Sequence, residues 1–158
     1  MDAILRLADP SERIIDRPLT PPYLLIMKGI AVTHEQHIAI VDDDESVREA
    51  ATNLFRSMGF PVVAFASAEE FLRSDSVEHT SCLVLDVQMP GMGGLRLQSH
   101  LTAAGRHIPI VFVTAYPDEG VRTKALQSGA VCFLTKPFAE GDLLDGLRSA
   151  LTSTSDGD

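Results

Sequence analysis

The sequence predicts an α/β fold built on an open, five-stranded parallel sheet, and three observations carry that prediction. Short apolar runs of strand length recur between residues 37 and 152 and alternate with stretches whose apolar residues fall at helical spacing. One run, Cys82-Leu83-Val84-Leu85-Asp86, has no polar face and then stops at a carboxylate, as expected of a strand covered on both sides. Right-handed crossovers leave few strand orders, of which 2-1-3-4-5 puts helices on both faces and a switch point between the first and third strands.

Taken in order, residues 1–36 stand apart from the rest. Pro10, Pro18, Pro21 and Pro22 interrupt small apolar clusters such as Tyr23-Leu24-Leu25-Ile26-Met27, which predicts a poorly ordered extension. Its apolar residues could form a docking peptide, or the biological start could be Met27. From His37 the pattern is regular. Ile38-Ala39-Ile40-Val41 reads as the first strand, and the following helix carries Val47, Ala50, Ala51, Leu54 and Met58 on one face, with Ser46 and Glu49 as a capping box and Gly59 as its stop. Pro61 to Phe65 reads as a second strand whose leading proline suits an edge, and Ser67 with Glu70 caps a short helix through Leu72. Leu83–Asp86 is the third strand and Leu95 to about Ala104 the third helix. Pro109–Thr114 is the fourth strand, Asp118–Ser128 a weakly apolar fourth helix, Val131–Leu134 the fifth strand and Glu140–Leu151 the last helix. A polar tail, 153–158, follows. The result is a flavodoxin-like (βα)5 domain with five helices over residues 37–152.

Composition narrows the function. Twenty-two acids against 13 bases give a net charge of -9, which repels phosphate backbones and anionic membranes, so neither nucleic acid nor a membrane is an expected direct partner. No signal-type segment opens the chain and no apolar run approaches the roughly 20 residues needed to span a bilayer, which predicts a cytoplasmic protein. Cys82 and Cys132 lie in strand-like runs without metal spacing and read as buried free thiols. With one strand between theirs they would stand about 9.6 Å apart, beyond disulfide reach.

In the predicted strand order the carboxyl ends of four strands gather Asp42 and Asp43, Asp86, Thr114 and Lys136 into one crevice. Singly, each has an ordinary explanation, such as helix capping for the acids or a solvated turn for Lys136. Together, three carboxylates in a small space repel one another and call for a cation. An all-oxygen set with room for water suits Mg²⁺, for which Mn²⁺ could substitute. Asp86 could then act as a nucleophile toward phosphorus, with Lys136 offsetting charge on the phosphoryl oxygens and Thr114 donating a hydrogen bond. Gly91, Gly93 and Gly94 would leave space for a bulky donor.

Ile40-Val41-Asp42-Asp43, Leu85-Asp86 with Met89-Pro90-Gly91-Met92-Gly93-Gly94, Thr114-Ala115 and Phe133-Leu134-Thr135-Lys136-Pro137-Phe138 stand in an order and spacing that resemble the receiver domains of two-component response regulators. Lys136-Pro137-Phe138 and Gly129-Ala130-Val131 look most like receivers of the NarL/FixJ-like group, which precede LuxR-type helix-turn-helix output domains. The resemblance implies that Asp86 accepts phosphate from a histidine kinase or phosphotransfer protein and that Asp42, Asp43, Asp86 and Gln88 surround the Mg²⁺. It also implies that Thr114 and Lys136 respond to the phosphoryl group, that Thr114 and Phe133 form the switch, and that the Lys136–Pro137 bond is cis.

Three features depart from the family pattern. Phe133 lacks the hydroxyl of a tyrosine at the switch position, so its swing must be driven by packing. Gln88 stands at a variable position that in such domains influences attack by water. After Lys136 only one helix and a tail remain, too little for a DNA-binding module. The expectation is therefore a stand-alone phosphoacceptor switch, not an enzyme acting on other substrates. Its downstream partner is unknown, and a homodimer through the fourth helix, fifth strand and fifth helix is a possible output. Two alternatives are a phosphorylation-independent interaction module of the same fold and an aspartyl-phosphate hydrolase of the haloacid dehalogenase type. The latter needs Asp-x-Asp where this chain has Asp86-Val87-Gln88.

Overall fold

In a computed structural model of the chain, residues 36–156 are described, 153–156 by main chain alone. The expected extension and start site before residue 36 lie outside the described residues. Five strands, β1 (His37–Val41), β2 (Val62–Phe65), β3 (Thr80–Asp86), β4 (Ile110–Thr114) and β5 (Cys132–Thr135), form one parallel sheet in the order β2-β1-β3-β4-β5. The α-helices between and after them are α1 (Glu45–Ser57), α2 (Ala68–Arg73), α3 (Gly94–Ala103), α4 (Glu119–Gln127) and α5 (Glu140–Asp156). The fold class and strand order are those read from the sequence.

The two-residue period of the strands sorts their side chains into two cores. Ile38, Ile40, Cys82, Val84, Val111 and Val113 pack with Phe55 of α1, with Met58 at its C-terminal cap and with Leu143, Leu147 and Leu151 of α5. Ala39, Val41, Leu83, Leu85, Ile110 and Phe112 pack with Phe71 of α2, Leu97 and Leu101 of α3 and Ala125 of α4. The central strands β1, β3 and β4 are therefore buried on both faces, which explains their unbroken apolar runs. Polar side chains that follow these runs have one open direction, the crevice beyond the carboxyl ends.

Several boundaries differ from the sequence reading, each for a local reason. The cap of α1 is Asp44, not Ser46. One carboxylate oxygen of Asp44 accepts both the Ser46 N–H at 2.9 Å and the Ser46 hydroxyl at 2.7 Å, which starts the helix two residues earlier. The inward face of α1 is Ala51 and Phe55, continued by Met58 at the C-terminal cap, while Ala50 is exposed. Ser67 and Glu70 do cap α2, but Glu70 reaches back to the Ala66 N–H at 3.0 Å. β3 begins at Thr80, where the Ser81 hydroxyl oxygen accepts the His37 N–H at 3.2 Å, and a 3-10 turn, Asp75–Glu78, precedes it. α5 continues past Leu151 into the expected tail, with the Thr152 hydroxyl donating to the Arg148 carbonyl oxygen at 2.9 Å.

Both cysteines are free. Cys82 is buried, whereas Cys132 is only half-buried, and β4 runs between their strands. Among the described residues no helix is long and apolar enough to cross a membrane.

Candidate functional site

Asp42 follows β1 and is almost fully buried, at 1 % exposure. Its Oδ1 accepts the Asp44 N–H at 2.8 Å, and its carbonyl oxygen accepts Arg48 Nη1 at 2.7 Å. These bonds tie the turn to α1 and hold the Asp42 carboxylate inward while Asp43 faces solvent. Asp86 closes β3 beside it, since Val41 pairs with Leu85, and is 4 % exposed. Its Oδ1 accepts the Gln88 N–H at 3.3 Å. Carboxylate oxygens of Asp42, Asp43 and Asp86 all lie within 4.8 Å of one another.

Lys136 arrives just past β5 and completes the cluster. Its Nζ stands 2.9 Å from Asp42 Oδ2 and 3.6 Å from Asp86 Oδ2. The Lys136 N–H donates to the Thr114 carbonyl oxygen at 2.7 Å, so the end of β4 positions the main chain that carries the ammonium. The following Lys136–Pro137 peptide bond is cis. Thr114 itself is fully buried, and its hydroxyl oxygen accepts the Tyr116 N–H at 3.0 Å.

Phe133 lies apart from the carboxylates. Its ring stands 6.2 Å from that of buried Phe112, and it lines an open cleft with Pro117, Asp118, Glu119, Arg122 and Thr135. The side chain of Gln88 is exposed, and the residue reaches the cluster through its N–H. Thus Asp42, Asp43, Asp86 and Lys136 meet directly, Gln88 and Thr114 touch the cluster through main-chain bonds, and Phe133 borders a neighbouring cleft.

The electrostatics follow from this crowding. Burial, reinforced by the Asp42 charge, pushes the Asp86 carboxyl up to about 7, although Lys136 and the Gln88 N–H pull the other way. Burial alone would lower the Lys136 ammonium, but its bond and charge contact with Asp42, and the charge of Asp86, leave it raised. One ammonium therefore shares two buried carboxylates and a third at the rim. Buried Asp42 Oδ2 has no aligned hydrogen-bond donor, only that ammonium. A hard, all-oxygen set of three carboxylates served by one ammonium, with one side open to solvent at Asp43, fits an octahedral Mg²⁺ or Mn²⁺.

Two of the glycines also admit neighbouring protein atoms. A side chain at Gly94 would run into the Asp86 carbonyl oxygen, so this glycine lets α3 start directly against the end of β3. At Gly91 the space a Cβ would fill holds the Glu69 carboxylate. Both positions accommodate neighbouring protein atoms. Sequence reasoning also passed over Arg48 and Glu69, whose partners are main-chain groups that leave no side-chain pairing to read.

The protein is thus a parallel α/β domain with acids at two adjacent strand ends and a lysine at a third gathered at the carboxyl edge of its sheet. The response regulator receiver domain model matches residues 38–148, and this chain belongs to that family, the receivers of two-component systems. Nodulation protein W of Bradyrhizobium diazoefficiens is 49 % identical over 113 residues, which cover 72 % of this chain and 50 % of that protein. The structure of the response regulator StyR is similar with a TM-score of 0.71 at 46 % identity, over 77 % of this chain and 61 % of that one. The crystal structure of FixJ-N matches with a TM-score of 0.66 at 31 % identity, over 74 % of this chain and 94 % of that one. The chain spans about half the length of the curated relatives it matches.

Proposed function

We propose that this chain is a Mg²⁺-dependent phosphoacceptor switch whose Asp86 takes the phosphoryl group of a phosphohistidine on a histidine kinase or phosphotransfer protein, acting in the cytoplasm. The observation that supports this most is the meeting of Asp42, Asp86 and Lys136 at ion-pair distances in a crevice that solvent reaches at Asp43. Asp42, Asp43 and Asp86, with Gln88, would hold the cation, with Mn²⁺ able to replace Mg²⁺. When bound, the cation supplies positive charge to the phosphoryl oxygens.

In the transfer, a carboxylate oxygen of Asp86 attacks phosphorus and forms an acyl phosphate. The P–N bond of the phosphohistidine breaks, its electron pair leaves with the imidazole, and the imidazole takes up a proton. Lys136, 3.6 Å from the acceptor at rest, offsets charge on the transferred group. The Thr114 hydroxyl donates to a phosphoryl oxygen, which draws the end of β4 toward the site. Phe133 moves into the space vacated, driven by packing against Phe112. The outcome is a population shift in the surface formed by α4, β5 and α5, read by a noncovalent partner or by a second copy of the chain.

The test is incubation with acetyl phosphate and Mg²⁺ followed by intact mass. One added phosphoryl group, abolished by Asp86→Asn, is the expected result. Turnover of phosphate esters without a modified chain would instead support a hydrolase, and no modification in any metal would support an interaction module.

A further inference from the structure

The acceptor Asp86 is followed by the loop Val87–Gly93, and the hydrogen bonds of that loop are few. Val87 is fixed through its N–H to the Val113 carbonyl oxygen at 3.0 Å, and the Gly94 N–H returns to the Val87 carbonyl oxygen at 2.9 Å. Between these anchors the Gln88 N–H bonds to Asp86 Oδ1 at 3.3 Å. Among the described residues, the loop from Gln88 to Met92 makes one hydrogen bond to a separate element, the Met92 N–H to Glu69 Oε2 at 2.9 Å. Glu69 lies in the first turn of α2, 23 residues away in sequence. Its carboxylate fits because Gly91, at a φ of 77°, has no side chain in its way; a Cβ there would sit 2.7 Å from Glu69 Oε2.

We propose that Glu69 is a positioning residue for the phosphoacceptor site. It fastens the far end of the β3–α3 loop to α2 and so limits the freedom of the stretch that begins at Gln88, one of the residues that would hold the cation beside Asp86. Glu69 touches neither cation nor phosphoryl group. α2 is a rigid support for this purpose, since Phe71 is fully buried and its ring meets Phe65 edge-on at 5.5 Å. A loop freed from Glu69 would leave the stretch from Gln88 to Met92 more mobile, and the site would bear the ordering entropy at each binding event. This inference rests on the proposed phosphoacceptor reading and assigns to it a residue outside the site.

The experiment compares wild type, Glu69→Leu, Glu69→Gln and Glu70→Ala. Mg²⁺ affinity is measured by isothermal titration and the amide exchange of Met92 by NMR. Leucine fills similar space without an acceptor, glutamine keeps a carbonyl acceptor, and Glu70→Ala removes the bond from α2 to Ala66 but leaves the loop untouched. Glu69→Leu should weaken Mg²⁺ binding by about 3- to 10-fold and speed Met92 exchange, with Glu69→Gln and Glu70→Ala within about twofold of wild type. Wild-type affinity in Glu69→Leu overturns the proposal, as does an equal loss in Glu69→Gln, which would make the effect one of charge, or in Glu70→Ala, which would make it one of helix stability. A wild-type chain that takes up no Mg²⁺ overturns the functional reading itself, and this inference with it.

Discussion

Replacing Asp86 by asparagine should make the metal-free protein more stable, and the size of the gain should depend on pH. The substitution keeps the shape of the side chain and an oxygen able to accept the Gln88 N–H, while it removes one of three negative charges within 4.8 Å of one another. Asp86 is only 4 % exposed and its carboxyl stands at about 7, so ionised Asp86 works against folding. Each tenfold change in proton affinity is about 1.4 kcal/mol, which sets a ceiling of about 4 kcal/mol on that cost. Attraction to Lys136 and solvent at the mouth of the crevice reduce the expected gain to about 1–2 kcal/mol.

The sign follows from linkage. Because the folded chain holds this proton more tightly than the unfolded chain, the stabilisation from protonated Asp86 is complete below the unfolded value of about 4 and is lost as pH rises through about 7. Asparagine does not titrate, so its advantage should be small at about pH 5 and full at about pH 8. Urea unfolding in chelator at the two pH values measures it. Adding Mg²⁺ should stabilise wild type more than the variant and so narrow the gap. A variant no more stable than wild type at pH 8, or an equal gain at both pH values, would refute the claim that burial, reinforced by the Asp42 charge, penalises ionised Asp86.

Other consequences follow from the same contacts. Lys136→Met leaves buried Asp42 without its cation and should cost about 2–4 kcal/mol in chelator by urea unfolding, part of it recovered with Mg²⁺; an undestabilised variant would mean the ion pair is dispensable. Gly94→Ala drives a methyl group into the Asp86 carbonyl oxygen and should lower stability by about 2–4 kcal/mol, whereas Gly141→Ala, with nothing within 4 Å, should change it by less than about 1 kcal/mol; thermal melts separate the two. Burial pushes the Cys82 thiol well up, and burial together with Asp142 and Asp145 raises Cys132, so both should react slowly with Ellman's reagent in the native state and rapidly in urea. Fast native labelling of either would contradict the packing around them.

The strand order was legible because it depends on long-range regularities the sequence carries openly: double-sided apolar runs for β1, β3 and β4, a proline before β2, and helical spacing between. Asp42 and Asp86 were legible for the same reason, each being the first polar side chain after such a run, and Asp43 and Lys136 because each lies within two residues of a strand's apolar run. What escaped is set by competition among nearby groups. Asp44 displaced Ser46 as the α1 cap because a charged carboxylate can take two donors at once, and Phe55 proved central to α1 because the helix is rotated to put it, not Ala50, against the sheet. Glu69 was invisible as a loop anchor because an acid in a first helical turn already has a sufficient role with the helix dipole. Only the fold brings Gly91 to it. Phe133 was read as a switch from family wording, and the structure adds its contact with Phe112 and the open cleft beside it.

The claim on which all of this depends is that Asp86 is the residue that becomes phosphorylated. Borohydride converts an aspartyl phosphate to homoserine, so treatment with acetyl phosphate and Mg²⁺, reduction and peptide sequencing by mass spectrometry identify the acceptor directly. The account predicts homoserine at position 86 and nowhere else, with the signal lost in chelator. Homoserine at another position, or an equal yield without a divalent cation, would contradict it.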